Sequence, residues 1–204
     1  MQLYHCFLQT IGRIGSMNEY MHKVLTSIRS LPFYPALVTN LKYMTIDISF
    51  MFFGPAFEVV SAKAPDMKKE IEDWKDGRRF AIGILPKGPA ITFEKRGGMI
   101  RYIGKGYHSP DISMLFKNLD AAIPVFLGIK GSFQAFAENR ILVDGNLAHT
   151  MEINRAANIV NSYLFPGIVL KKIMKRPPEM NLARYITNAR VYGGIIPAFI
   201  RHIF

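Results

Sequence analysis

Beyond Asp76-Gly77 the apolar residues of this chain stop recurring at helical spacing and begin to alternate. Phe80, Ile82 and Ile84 alternate first, and Pro86-Lys87-Gly88-Pro89 then turns the chain. Ile91 and Phe93 follow, then the turn Arg96-Gly97-Gly98, then Ile100, Tyr102 and Gly104. Successive strand side chains point to opposite faces, and Gly/Pro clusters between such runs mark turns. The pattern therefore predicts an antiparallel meander of three strands. Pro110-Asp111 opens a fourth run, with Ile112, Met114 and Phe116 alternating against Ser113, Leu115 and Lys117. Ile141 and Val143 make a fifth, ending at Asp144-Gly145.

Helical spacing governs the rest. Ser16 and Glu19 form a capping box ahead of Met17, Tyr20, Met21, Val24, Leu25, Ile28 and Leu31, which predicts an amphipathic helix over 17–30 stopped by Pro32. Residues 34–60 fit two patterns. Ile46, Ile48, Phe50 and Phe52 suit a strand, whereas Leu41, Met44, Ile48 and Met51 suit a helix, to which the reading leans. Residues 63–75 are polar and helix-prone. A short apolar helix over Leu119–Leu127, closed by Gly128, contains Pro124. A second over Ser132–Glu138 bears Phe133 and Phe136. Asn146 is placed to cap a longer helix reaching about Leu164, ended by Pro166-Gly167. A hydrophobic-basic segment, Ile168–Lys175, precedes Pro177-Pro178, and a last helix is expected over about Leu182–Tyr192.

Half of the 204 residues are hydrophobic, enough for a sizeable core. Cys6 stands alone, which excludes an intramolecular disulfide and a Cys-only zinc site and suits a reducing compartment. The first residues lack the pattern of a signal peptide. The greasiest window, 31–60, is interrupted by Pro32, Pro35, Lys42, Asp47 and Gly54-Pro55, so no membrane-spanning helix is expected. The net charge of +11 is uneven: residues 167–204 carry seven Lys or Arg and one acid. Such a bias points to an anionic partner.

Motifs for chemistry are sparse. His5, His22, His108, His149 and His202 are scattered, with no acidic residue at metal-ligand spacing, so no metal and no cofactor are expected. There is no G-x-S-x-G elbow. Gly104-Lys105-Gly106 fails the spacing of a phosphate loop. The carboxylates of the middle region sit at turns or beside basic residues and assemble no acid–base pair. The basic residues are dispersed through the body, and no nucleic-acid recognition motif accompanies them.

The order of pieces from Asp76 to Val160 resembles the sterol carrier protein type 2 family. After the meander come D-I-S-M-L-F-K-N (Asp111–Asn118), L-D-A-A-I-P-V-F-L-G (Leu119–Gly128) and F-Q-A-F-A-E-N-R-I-L-V-D-G-N (Phe133–Asn146), then L-A-H-T-M-E-I (Leu147–Ile153) with Met151 at the matching place. Pro124 departs from the family's pattern. The resemblance implies an α+β fold: a twisted five-stranded, mainly antiparallel sheet covered on one face by helices. The chain is then read as a lipid-binding domain (76–166) with two segments outside the family's pattern, an N-terminal helical arm packing on the domain (1–75) and a basic amphipathic extension (167–204). It also implies an apolar tunnel between sheet and helices that takes sterols or fatty acyl chains.

On that reading Phe116, Ile123, Phe126, Phe133, Phe136, Ile141, Val143, Met151 and Ile159 are the candidate tunnel residues, although a strand–helix layer buries the same residues as plain core without any tunnel. Arg101, Lys117 and Arg140, with Lys105 and Arg155, are head-group candidates. Lys171, Lys172, Lys175 and Arg176 are candidates for an anionic membrane surface. The expected function is non-catalytic binding or transfer of a fatty acyl, sterol-like or isoprenoid ligand by a cytoplasmic or membrane-peripheral protein. The alternatives are a scaffold presenting a hydrophobic intermediate, such as a quinone precursor, to partner enzymes, and an enzyme acting on a lipid in the same cavity.

Overall fold

The computed structural model describes residues 32–174, 178 and 182–203, without the side chains of 182, 183, 202 and 203. Cys6, the helix expected over 17–30, Lys175 and Arg176 lie outside the described residues. The chain divides into two compact units, residues 1–41 and 42–204.

Helices α1 (Tyr34–Lys63) and α2 (Pro65–Glu70) precede strands β1 (Arg79–Ile84), β2 (Ala90–Arg96), β3 (Met99–Lys105) and β4 (Ile112–Phe116). Helices α3 (Leu119–Phe126) and α4 (Ser132–Ala137), strand β5 (Ile141–Asp144), and helices α5 (Leu147–Leu164), α6 (Gly167–Ile173) and α7 (Leu182–Ile203) follow. The five strands form one sheet in the order β3-β2-β1-β4-β5. The meander is antiparallel as predicted, with Phe80 opposite Phe93 and Phe93 opposite Tyr102. β4 runs parallel to β1, pairing Phe80 with Ile112, and β5 is antiparallel to β4. The sheet is thus mixed.

The parallel pair requires the chain to cross from the β3 edge over β2 and β1. Residues 106–111 make that crossing on the face opposite the core. Thr92 Oγ1 donates to the Gly106 carbonyl at 2.6 Å and accepts from His108 N at 3.2 Å. A Cβ at Gly83 would lie 2.0 Å from the Tyr107 hydroxyl, so only glycine lets that ring lie over the strand. The other face is aromatic. Phe80 and Phe93 stack at 5.0 Å, Phe57 of α1 sits 4.8 Å from Phe93, and Trp74 meets Phe80 edge-on at 5.9 Å. Phe126 of α3 meets Phe50, Phe53 and Phe116. Offset and edge-on rings pack densely and add about 0.5–1.5 kcal/mol per pair beyond their buried area.

Residues 34–60 resolve as helix, because Ile46, Phe50, Phe53, Phe57 and Val60 fall on one buried face. Contrary to the sequence expectation, α1 has the length and composition of a membrane-crossing helix. The interruptions do not stop it, and 61% of its apolar window is buried inside the protein. Its polar residues serve the sheet. Ser61 Oγ accepts from Ile100 N at 3.0 Å, and Glu58 Oε2 accepts from Tyr102 N at 3.1 Å, so two backbone donors of the edge strand are satisfied by helix side chains.

Asn146 caps α5 as expected, its Oδ1 accepting from Ala148 N and His149 N. Asn118 caps α3 in the same way. Pro124 inside α3 has no N–H for the Asp120 carbonyl. Arg140 Nη1 approaches that carbonyl at 3.4 Å instead. Helix α7 runs eleven residues past its predicted end, through Gly193-Gly194 and Pro197. Burial of Val191, Ile195 and Ala198 outweighs the weak helix propensity of those residues.

Candidate functional site: a helix-lined apolar groove

The interface between sheet and helices is filled. Phe50, Phe57, Phe80, Phe93 and Phe116 are each no more than 1% exposed there. An apolar groove of about 400 Å³ lies instead between helices, bounded by α1, α3, the end of α5 and α7. Phe52, Phe53, Phe126, Leu164, Phe165, Ile195 and Ile196 supply its apolar wall, and Ser49, Asn161 and Tyr192 its polar groups. None of these lining side chains is charged.

Local sequence explains each wall. Ser49, Phe52 and Phe53 occupy one face of α1, and the Ser49 hydroxyl donates back to the Thr45 carbonyl at 2.8 Å. Asn161 and Leu164 occupy the last turn of α5, where the extended Phe165 and Pro166 divert the chain. Tyr192, Ile195 and Ile196 recur at i, i+3 and i+4 on α7 and face the groove together. The Tyr192 hydroxyl reaches the Leu164 carbonyl at 3.4 Å across the groove.

Helix α7 is fastened at both ends. Arg184 donates to Asp66 at 3.3 Å and to Ser162 at 2.6 Å, and its guanidinium lies 4.4 Å from the Tyr163 ring centroid. The Tyr163 hydroxyl donates to Asp66 at 2.9 Å, and burial together with that acceptor pushes its pKa up to about 12. At the other end, Phe199 stacks on Phe52 and Arg201 approaches Glu58 at 3.5 Å.

Of the nine tunnel candidates, Phe126 alone lines this groove. Phe116 and Ile141 are buried core on the sheet. Ile123, Phe136 and Ile159 pack as partly buried side chains against that core, while Val143 and Met151 are partly buried. Phe133 is 53% exposed, a correction with a plain cause: α4 is a short helix that buries Ser132 and Ala135 and turns Phe133 to solvent. The head-group candidates also lie elsewhere. Arg101 contacts Glu58 at the sheet edge and borders a separate polar depression of about 620 Å³ with Arg79, Glu94 and Arg96. Arg140 is held by Glu138 and the Asp120 carbonyl, and Lys117 is exposed beside it. Lys105 approaches Asp47 and Arg155 pairs with Glu70. Lys171 and Lys172 are exposed on α6. Sequence reasoning missed the α7 residues because it ended that helix at Tyr192. The apolar spacing of Val191, Ile195 and Ala198 carried the missing signal.

Fold and groove together define an α+β domain with an apolar groove between its helices. Solved structures of sterol carrier protein domains are similar to it. A conserved hypothetical protein from Thermus thermophilus, described as a candidate sterol carrier protein, is 16% identical, with a TM-score of 0.42 over 53% of this chain and 80% of that one. Sterol carrier protein 2 is 12% identical, with a TM-score of 0.41 over 53% and 92%. The ubiquinone synthesis protein UbiJ-SCP2 is 12% identical, with a TM-score of 0.39 over 63% and 99%. No family model and no curated protein matches the chain.

Proposed function

We propose that this protein binds a hydrophobic small molecule, without covalent chemistry, in the groove between α1, α3, α5 and α7. The observation that carries this reading is the character of the lining: seven apolar or aromatic side chains around about 400 Å³, with three neutral polar groups among them. That volume falls in the usual range for small-molecule sites, which are apolar with few polar groups. Each methylene moved from water into such a wall gains roughly 0.8 kcal/mol.

The polar groups narrow the ligand class. An amide at Asn161 and hydroxyls at Ser49 and Tyr192 can donate to or accept from a hydroxyl or carbonyl. None supplies the positive charge that a buried carboxylate or phosphate needs. The ligand is therefore read as a lipid with a neutral polar end, a sterol-like or isoprenoid alcohol or an ester, in preference to a free fatty acid.

Native mass spectrometry of the freshly purified protein, followed by extraction and identification of bound molecules, tests this. A co-purifying neutral lipid, lost in Ser49→Phe with the fold retained, supports the reading. An empty protein that also fails to take up fluorescent sterol and acyl-ester probes sinks it.

A further inference from the structure

We infer that the exposed face of α7, together with the cations of α6, docks this protein on an anionic lipid surface with the groove mouth turned toward the bilayer. Tyr185, Tyr192, Ile196 and Ile200 are all exposed, Ile196 at 65%. Their spacing places them in one line along the helix, with Ala189 between them. The opposite side, with Val191, Ile195 and Ala198, is buried. A soluble helix ordinarily turns polar residues outward, so an apolar line on the outside of an already packed helix marks an interaction surface.

Charge selects the partner. Every charged residue of α6 and α7 is basic: Lys171, Lys172, Arg184, Arg190 and Arg201, with His202 beside them. Arg184 is turned inward to Asp66 and Ser162, and Arg201, though exposed, approaches Glu58 at 3.5 Å, whereas Lys171, Lys172 and Arg190 are exposed. By helical spacing Arg190 falls on the side of the apolar line away from the groove. Apolar and tyrosine residues bordered by cations are the composition of a helix lying in a bilayer interface. On α6, Ile168 is 81% exposed one turn before Lys171 and Lys172, repeating the combination. On the α1 side of the groove, half-buried Lys42 and exposed Asp47 are matched by Asp120 and Lys105.

The line also ends at the site. Tyr192 and Ile196 belong both to the exposed face and to the groove wall. Docking by this face would let a lipid pass between bilayer and groove without exposing its chain to water. That consequence rests on the ligand reading above; the docking itself does not.

Sedimentation of the full chain with phosphatidylcholine vesicles, with and without phosphatidylglycerol, tests the inference, and uptake of a fluorescent acyl-ester probe is read in parallel. The chain is expected to bind the anionic vesicles and to be released by salt. Neutralising Lys171, Lys172 and Arg190 to Ser should weaken binding on the order of a hundredfold, about fivefold per charge, with probe uptake unchanged. Tyr185→Ser with Ile200→Ser should also weaken it. Failure of the wild-type chain to bind anionic vesicles, or equal binding by the neutralised variant, overturns the inference. Concentration-dependent dimers dissolved by Tyr185→Ser and Ile200→Ser, without vesicle binding, overturn it in favour of a self-association face. Vesicle binding without probe uptake supports the docking face and overturns the ligand reading instead.

Discussion

The rings of Phe52 and Phe199 lie stacked, 4.9 Å between centroids and 5° between planes. This pair joins the middle of α1 to the last turns of α7 at the rim of the groove, although the two residues are far apart in sequence. Phe199→Ala is expected to destabilise the protein by about 1–2 kcal/mol through lost ring contact and burial. Urea unfolding measures it. Because the same stack holds the α7 wall in place, the variant should also bind neutral lipid probes less tightly.

Asn161 presents an amide among apolar groove residues. Asn161→Leu should leave the affinity for a purely hydrocarbon probe unchanged or improved. It should weaken the binding of an alcohol-ended analogue by about 0.5–1.5 kcal/mol, the net value of one hydrogen bond. Paired titrations of the two probes decide this, and equal effects on both would show that the amide does not face the ligand.

Ser61 is fully buried and exchanges hydrogen bonds with Ile100 of the edge strand. Ser61→Ala leaves the Ile100 N–H buried without that acceptor, which costs about 1–3 kcal/mol. Thermal denaturation would show the loss, and hydrogen exchange should show faster opening at Ile100 than at the central strands.

Tyr163 carries a pKa pushed up to about 12 by burial and by the Asp66 carboxylate that accepts a hydrogen bond from its hydroxyl. The folded state therefore favours the neutral phenol more than the unfolded chain does, whose tyrosine titrates near 10. This stabilisation is complete below pH 10 and is lost as pH rises through about 12. Tyr163→Phe should remove that component of the alkaline unfolding profile, followed by circular dichroism.

Glu138 accepts from Lys130, Arg140 and Gln134, and those bonds, Lys130 first, lower its pKa from the ordinary 4.5 to about 2. The folded state then favours the carboxylate. Its contribution is present above pH 4.5 and fades as pH falls through about 2. In Glu138→Gln, stability should vary less with pH across that window. An unchanged acid profile would show that the cluster is formed equally in the unfolded chain.

The strands and their turns were legible in the sequence because period-two alternation and Gly/Pro punctuation are local signals. Phe80, Ile82, Ile84, Ile91, Phe93, Ile100 and Tyr102 all point inward as their spacing requires. The caps at Asn146, and at Gly128 with its φ of 68°, were legible for the same reason. Residues 34–60 were ambiguous because Ile46, Ile48, Phe50 and Phe52 alternate as in a strand while Leu41, Met44, Ile48 and Met51 recur as in a helix, and only the surface offered by the sheet chooses between them.

What the sequence determined by itself was therefore the five strands with their turns, the short helices α3 and α4, the capped helix α5, the inward faces of the strands and the basic bias of the last segment, since each depends on neighbours a few residues apart. Tertiary structure alone decided where the cavity lies. The aromatic rings of Phe57, Phe80, Phe93 and Phe126 fill the space between sheet and helices. The space left over falls where α7, carried through Gly193-Gly194 by the burial of Val191, Ile195 and Ala198, meets Phe52 and Asn161. Close packing is a property of the assembled volume, and no local pattern records which of several apolar faces will remain unfilled.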